Sequence, residues 1–186
     1  MAPSIPVLTA LVVFTGGGEP PVPEPTDPDD DPEWGRMTLV AGAGDALGSD
    51  DALRMGSGGV QRFVRNAVSV SAEVSWLRFN RRRSDTQGMG TALLGRWHPV
   101  RRGGGSVFGE AGVGGVVTGE SGPLGGTSFN FSTHLGLGGE VSLRRAGLTG
   151  GVRWYHISNG NLSRPNPGWD TIHGYLGLSV PLGRDH

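Results

Sequence analysis

From residue 34 onward, apolar and polar residues alternate with a period of two over long stretches, the repeat of a strand whose side chains point to opposite faces in turn. Val68, Val70, Ala72, Val74 and Trp76 alternate with Ser69, Ser71, Glu73 and Ser75. Phe129, Phe131, Leu135, Leu137, Val141 and Leu143 alternate with Asn130, Ser132, His134, Gly136, Gly138, Glu140 and Ser142, and Ile172, Leu176, Leu178, Val180 and Leu182 with Thr171, His173, Tyr175, Gly177 and Ser179. The pattern predicts strands at Trp34–Leu47, Ala67–Phe79, Thr86–His98, Ser106–Thr118, Thr127–Leu143, Gly147–Ser158 and Asp170–Leu182. A closed bacterial barrel has an even number of strands. An eighth is therefore expected, either from Ile5–Phe14 or from part of Met55–Val64.

A soluble sandwich alternates as well, with its apolar rows inward. Strand length argues for the other environment: Thr127–Leu143 exceeds the roughly 9–11 residues that cross a bilayer at barrel tilt. The polar rows are small, rich in Gly and Ser with few long charges, which suits the cramped lumen of a narrow barrel. The expected fold is an all-β, antiparallel up-and-down transmembrane β-barrel of eight strands. A soluble lectin-like or lipocalin-like β protein is the competing architecture, in which the apolar rows would line an enclosed cavity.

Composition narrows this further. The 186 residues suit one domain, and the 35 glycines fall at no three-residue period, which excludes collagen. No apolar run reaches the eighteen residues or so of a membrane-crossing helix. Ile5–Phe14 has the length of an export-signal core but lacks a preceding Lys or Arg, and Gly16–Glu33 is a Pro-, Asp- and Gly-rich tract. Residues 1–33 thus read as a signal remnant and linker, and 34–186 as the barrel domain. With 16 basic and 17 acidic residues the net charge is −1, so no global field recruits nucleic acid. Arg81–Arg83, Arg101–Arg102 and Arg144–Arg145 lie between apolar segments as solvated turns. The absence of cysteine removes thiol catalysis, disulfides and cysteine zinc sites. His134 and His173 fall on the interior parity and read as lumen residues, with no metal-ligand spacing.

Polar residues interrupt a membrane-facing row at Trp154-Tyr-His-Ile-Ser-Asn-Gly160. His156 and Ser158 share the parity of Leu148, Val152 and Trp154, so the two residues lie on one face about 6.5–7 Å apart along the strand, and the imidazole can turn towards the hydroxyl. A serine becomes a nucleophile when a base takes its proton, and the base works best when a third group orients it. Asp170 opens the next strand on the parity of Ile172 and Val180, and the hairpin brings it to the same face and end. Taken without any family resemblance, a turn aspartate and a strand-end His-x-Ser pair with no catalytic role are the more common account of such residues.

Gly109-Glu-Ala-Gly-Val-Gly114, Phe129-Asn-Phe131, Leu135-Gly-Leu-Gly138 and, above all, His156-Ile-Ser-Asn-Gly160 followed by Asn166-Pro-Gly168 resemble the PagL-type outer-membrane lipid A 3-O-deacylases, also called acyloxyacyl hydrolases. The resemblance covers about 109–182. It implies an eight-stranded barrel in the bacterial outer membrane that hydrolyses the ester-linked 3-O-acyl chain of lipid A without a cofactor or metal. Its partners would be lipopolysaccharide and outer-membrane lipids, with homo-oligomerisation left open. On this resemblance His156 is the general base, Ser158 the nucleophile, and Asn159 with the backbone of Gly160 the oxyanion hole. Asp170 stands where the family typically has a glutamate. A non-catalytic structural or adhesive barrel with a decayed site is the alternative.

Overall fold

The computed structural model describes residues 37–46, 52–65, 67–81, 84–119, 127–143, 146–164, 166 and 168–182. They form eight strands, β1 (Met37–Ala46), β2 (Ala52–Arg65), β3 (Val68–Arg81), β4 (Ser84–Arg102), β5 (Gly105–Thr118), β6 (Phe129–Leu143), β7 (Ala146–Ser158) and β8 (Trp169–Leu182). Each strand pairs antiparallel with its sequence neighbours, and β8 pairs with β1 to close the barrel. Closure gives each of the eight described strands a partner on both sides, with the register broken only between Phe63 and Arg65 and between Trp97 and Val100 among the described residues.

The eighth strand is β2, which contains Met55–Val64. Its apolar rows are broken by Gly56, Gly58 and Gly59 and by outward Arg54 and Arg62, which is why alternation alone marked it weakly. Ile5–Phe14 and the rest of 1–33 lie outside the described residues, as do Trp34–Arg36 and Leu47 from the expected first strand.

Connections at the two ends differ. Residues 66–67, 103–104 and 144–145 join strands at one end, where Gly103 and Gly104 take the positive φ values of 58° and 79° that a two-residue hairpin demands. At the other end the connections are 47–51, 82–83, 119–128 and 159–168. These will be called the turn end and the loop end.

The outward rows are greasy around the ring: Val74, Leu93, Val113, Leu135, Leu137, Val152, Leu176 and Val180 are all exposed. A polar solvent would make such a surface an aggregation hazard, whereas a bilayer makes it the correct one. The lumen is stratified. Towards the loop end it is filled by an apolar cluster of Leu53, Met55, Leu77, Phe79, Val116, Tyr155, Ile157 and Trp169. Mid-barrel, the expected lining of small residues is interrupted by Glu73, Arg96, Glu110 and Arg153, all buried. Glu110 accepts from Arg96 Nε at 3.0 Å, from Arg153 Nε at 2.7 Å and from the Tyr175 hydroxyl at 3.1 Å. Arg96 also donates to Gln61 at 2.9 Å. Two cations and two carboxylates balance, and the guanidinium forks find enough acceptors to be tolerated out of water.

Candidate active site

His156 and Ser158 occupy the last outward positions of β7, and the residues that alternate with them, Tyr155 and Ile157, point into the apolar cluster of the lumen. Asp170 is outward at the start of β8, between the inward Trp169 and Thr171. Trp169 packs edge-on against Phe79 with ring centroids 5.4 Å apart. The polar row therefore stands on buried anchors, and side chains held by packed neighbours keep their geometry.

Asp170 is the direct cross-strand partner of His156, and its Oδ1 lies 2.9 Å from His156 Nδ1. A carboxylate accepts and does not donate, so Nδ1 carries the hydrogen and Nε2 presents its lone pair. With 31% and 57% of the two side chains exposed, the pair adds little to stability. Its consequence is orientation and tautomer. The indole of Trp154 stacks on the imidazole at 5.7 Å and 23°. From the loop, Gly168 comes so near that a Cβ there would stand 3.1 Å from His156 Cε1. The ring is thus held by a carboxylate, an indole face and a bare stretch of backbone.

Ser158 lies opposite Phe131 of β6, and His156 opposite Thr133. The Ser158 hydroxyl makes no hydrogen bond to His156 among the described residues. The strand repeat sets their backbones roughly 6.5–7 Å apart, a span that an imidazole and a hydroxymethyl group can bridge. Phe131 and Phe129 meet edge-to-face at 5.2 Å, which leaves a large aromatic wall beside the serine.

The following loop is tied by asparagines. Asn159, 1% exposed, donates its backbone N–H to Asn166 Oδ1 at 2.9 Å and its side-chain Nδ2 to the Ser163 carbonyl at 3.0 Å. Its Oδ1 accepts from the Asn161 N–H at 2.9 Å, and Asn166 Nδ2 donates to Asn161 Oδ1 at 3.2 Å. Gly160 and Asn161 both take positive φ, 62° and 63°, which reverses the chain immediately after the strand. Gly160 is exposed at the rim against the Phe131 ring, while Asn159 is buried as the centre of the loop. In the structure the Asn159 backbone N–H and its side-chain amide both engage the loop. The stacking of Trp154 on His156, the close approach of Gly168 and the loop-building role of Asn161 were not legible in the sequence, because stacking and loop closure follow from tertiary contacts that no periodicity records.

His134 and His173 are inside the lumen, 4% and 0% exposed, as their parity indicated. Ser132 Oγ lies 3.1 Å from His134 Nε2, but this pair is sealed from the outer surface. Among the described residues no group of three His, Asp or Glu side chains is arranged to hold a metal ion.

Residues 30–179 match the profile of the lipid A 3-O-deacylase (PagL) family. The chain belongs to that family. Among solved structures, the crystal structure of the outer membrane enzyme PagL is similar at 19% identity and TM-score 0.60, covering 78% of this chain and 99% of that one. The Pseudomonas aeruginosa outer membrane protein OprG is similar at 10% identity and TM-score 0.54, over 82% of this chain and 98% of that one. Neisserial surface protein A is similar at 15% identity and TM-score 0.51, over 79% and 96%. At such identities these likenesses establish the fold alone. No curated protein matches the chain at a significant level. This PagL-family protein is an outer-membrane barrel. In such barrels short turns face the periplasm and longer loops the exterior, which puts the loop end, and with it His156, Ser158 and Asp170, at the outer leaflet.

Proposed function

We propose that this protein is a serine esterase that removes the ester-linked 3-O-acyl chain of lipid A from the outer leaflet. The observation that carries the reading is the His156 Nδ1–Asp170 Oδ1 hydrogen bond on a lipid-facing surface, where uncommitted polar groups are costly. It leaves Nε2 as a base on the same row as the Ser158 hydroxyl.

In this mechanism His156 Nε2 takes the proton as Ser158 Oγ attacks the acyl carbonyl carbon. The carbonyl electrons move to oxygen, and the oxyanion is met by the backbone N–H of Gly160, with Asn159 positioning that peptide through the loop. Collapse breaks the bond to the sugar oxygen, which leaves as the 3-hydroxyl with the proton from His156. Water then attacks the acyl-serine, again giving its proton to His156, and releases the free fatty acid and Ser158. Asp170, hydrogen-bonded to His156 Nδ1, stabilises the imidazolium in both halves. Because the row faces the membrane, the substrate ester approaches sideways within its leaflet.

The test is mass spectrometry of lipid A from a host whose lipid A carries a 3-O-acyl chain, after expression of the protein. Loss of one hydroxyacyl chain is expected with the wild type and not with Ser158→Ala. Unchanged lipid A beside a correctly assembled barrel would overturn the esterase reading and leave a barrel with a decayed site.

A further inference from the structure

A lipid-facing strand asks only for apolar side chains along its outward row. Leu148 and Val152 meet that demand on β7 with aliphatic groups, whereas Trp154, the outward residue just before His156, is the largest side chain of the strand. Its cross-strand partners are Leu135 on β6 and Ile172 on β8, both outward and exposed. The indole therefore sits in an apolar line one outward step closer to the membrane centre than the imidazole.

The two rings form an offset stack, their planes 23° apart and their centroids 5.7 Å apart. The edges of the imidazole have other uses. Nδ1 is bonded to Asp170 Oδ1 at 2.9 Å, a Cβ on Gly168 would stand 3.1 Å from Cε1, and Nε2 is left as the base for Ser158. Trp154 takes a face of the ring, so it competes with none of these contacts. Asp170 is the charged side chain in contact with His156, and Thr133, opposite it on β6, is neutral.

As Ser158 attacks, His156 gains a proton, and a positive charge appears on a lipid-facing surface where charge is costly. Asp170 is more than half exposed, so water screens the attraction it offers. An aromatic face within about 6 Å attracts a cation through its quadrupole, indole most strongly, and more so where water is excluded. A neutral imidazole is attracted less. Contact with the indole thus strengthens as the proton is transferred, and an interaction stronger in the transition state than before it speeds the reaction. We propose that Trp154 is a positioning residue of the candidate active site, whose indole face stabilises the imidazolium that His156 becomes during attack.

Its effect on rate rests on the esterase reading, so the test pairs kinetics with a measurement that needs no turnover. The full chain in detergent micelles is assayed against lipid A bearing a 3-O-acyl chain. Trp154→Leu is expected to lower kcat by about five- to tenfold with KM unchanged. Trp154→Phe, which keeps an aromatic face, should recover most of that loss. Trp76→Leu is the control: Trp76 is also outward and exposed, five residues from the loop end of β3 where Trp154 is four from that of β7, and its loss should leave kcat as it was. Three results would overturn the proposal: equal losses in Trp154→Leu and Trp154→Phe, an unchanged kcat with a raised KM, or a matching loss in Trp76→Leu. They would make Trp154 a packing residue, a contact for the acyl chain, or one member of an interfacial aromatic girdle.

The second measurement is tryptophan emission in a Ser158→Ala background, since a protonated imidazole quenches an indole stacked on it. Lowering the pH through the histidine range should dim the emission more in this protein than with His156→Gln added, and Trp154→Phe should abolish that difference. Absence of the difference overturns the proposal whether or not the protein is an esterase. Its presence in a barrel whose wild type leaves lipid A intact sinks the esterase reading alone and shows that the contact with the imidazolium holds without it. Heat-dependent gel migration reports that each variant is still a folded barrel.

Discussion

At the scale of single residues, the esterase reading assigns different tasks to side chains only a few ångströms apart. Ser158→Ala and His156→Ala remove nucleophile and base, and each is expected to lower deacylation by about 10³-fold or more, read as retained 3-O-acyl chain in lipid A. Asp170→Ala removes only the partner of His156 Nδ1, whose ring is still held by Trp154 and Gly168. It should lower the rate less than the other two, and Asp170→Glu should preserve or raise it. An unchanged rate in Asp170→Ala would show that another group orients the imidazole.

At the scale of elements, the end of β7 and its loop act together. Alternation puts Tyr155, Ile157 and Trp169 into the lumen cluster and so presents His156, Ser158 and Asp170 outward. The loop's hold on Gly160 runs through Asn166 and Asn159. Asn166→Ala deletes the acceptor of the Asn159 N–H and the donor to Asn161 at once. The expected result is a fall in deacylation of about 10–10²-fold with unchanged heat-dependent gel migration, because the loop lies outside the barrel ladder and removal of an oxyanion donor costs up to about 10²–10³-fold. If the rate is unaffected, Gly160 is not positioned by this loop.

At the scale of the whole molecule, the lumen charges link strands far apart in sequence. Glu110 on β5 bridges Arg96 on β4 and Arg153 on β7. Glu110→Ala leaves two buried guanidinium groups short of an acceptor, and losing one partner of a buried pair costs about 3–5 kcal/mol. Urea unfolding in lipid vesicles, followed by tryptophan fluorescence, should show a clearly lowered midpoint. The Glu110→Met, Arg153→Met double variant should recover part of the loss, because it removes charge from both sides. A midpoint unchanged in Glu110→Ala would mean that water satisfies the arginines.

Much of this was legible beforehand. Strict alternation determined seven strands, which rows face lipid, and that His156, Ser158 and Asp170 share a face, since a period of two leaves side chains no other choice. The same parity put His134 and His173 in the lumen. What alternation left undetermined was anything that depends on which strand lies next to which, and in what register. Only closure of the ring selected β2 as the eighth strand, because its glycines and outward arginines weaken its own signal while its neighbours need a partner. Only register set Asp170 opposite His156, rather than a residue above or below. Packing across the lumen turned isolated charges into the Glu110 network, and loop closure tied Asn159 to Asn166 and Ser163. Local pattern is a property of consecutive residues and can be read along the chain, whereas register, stacking and lumen contacts are settled by energies shared between distant segments.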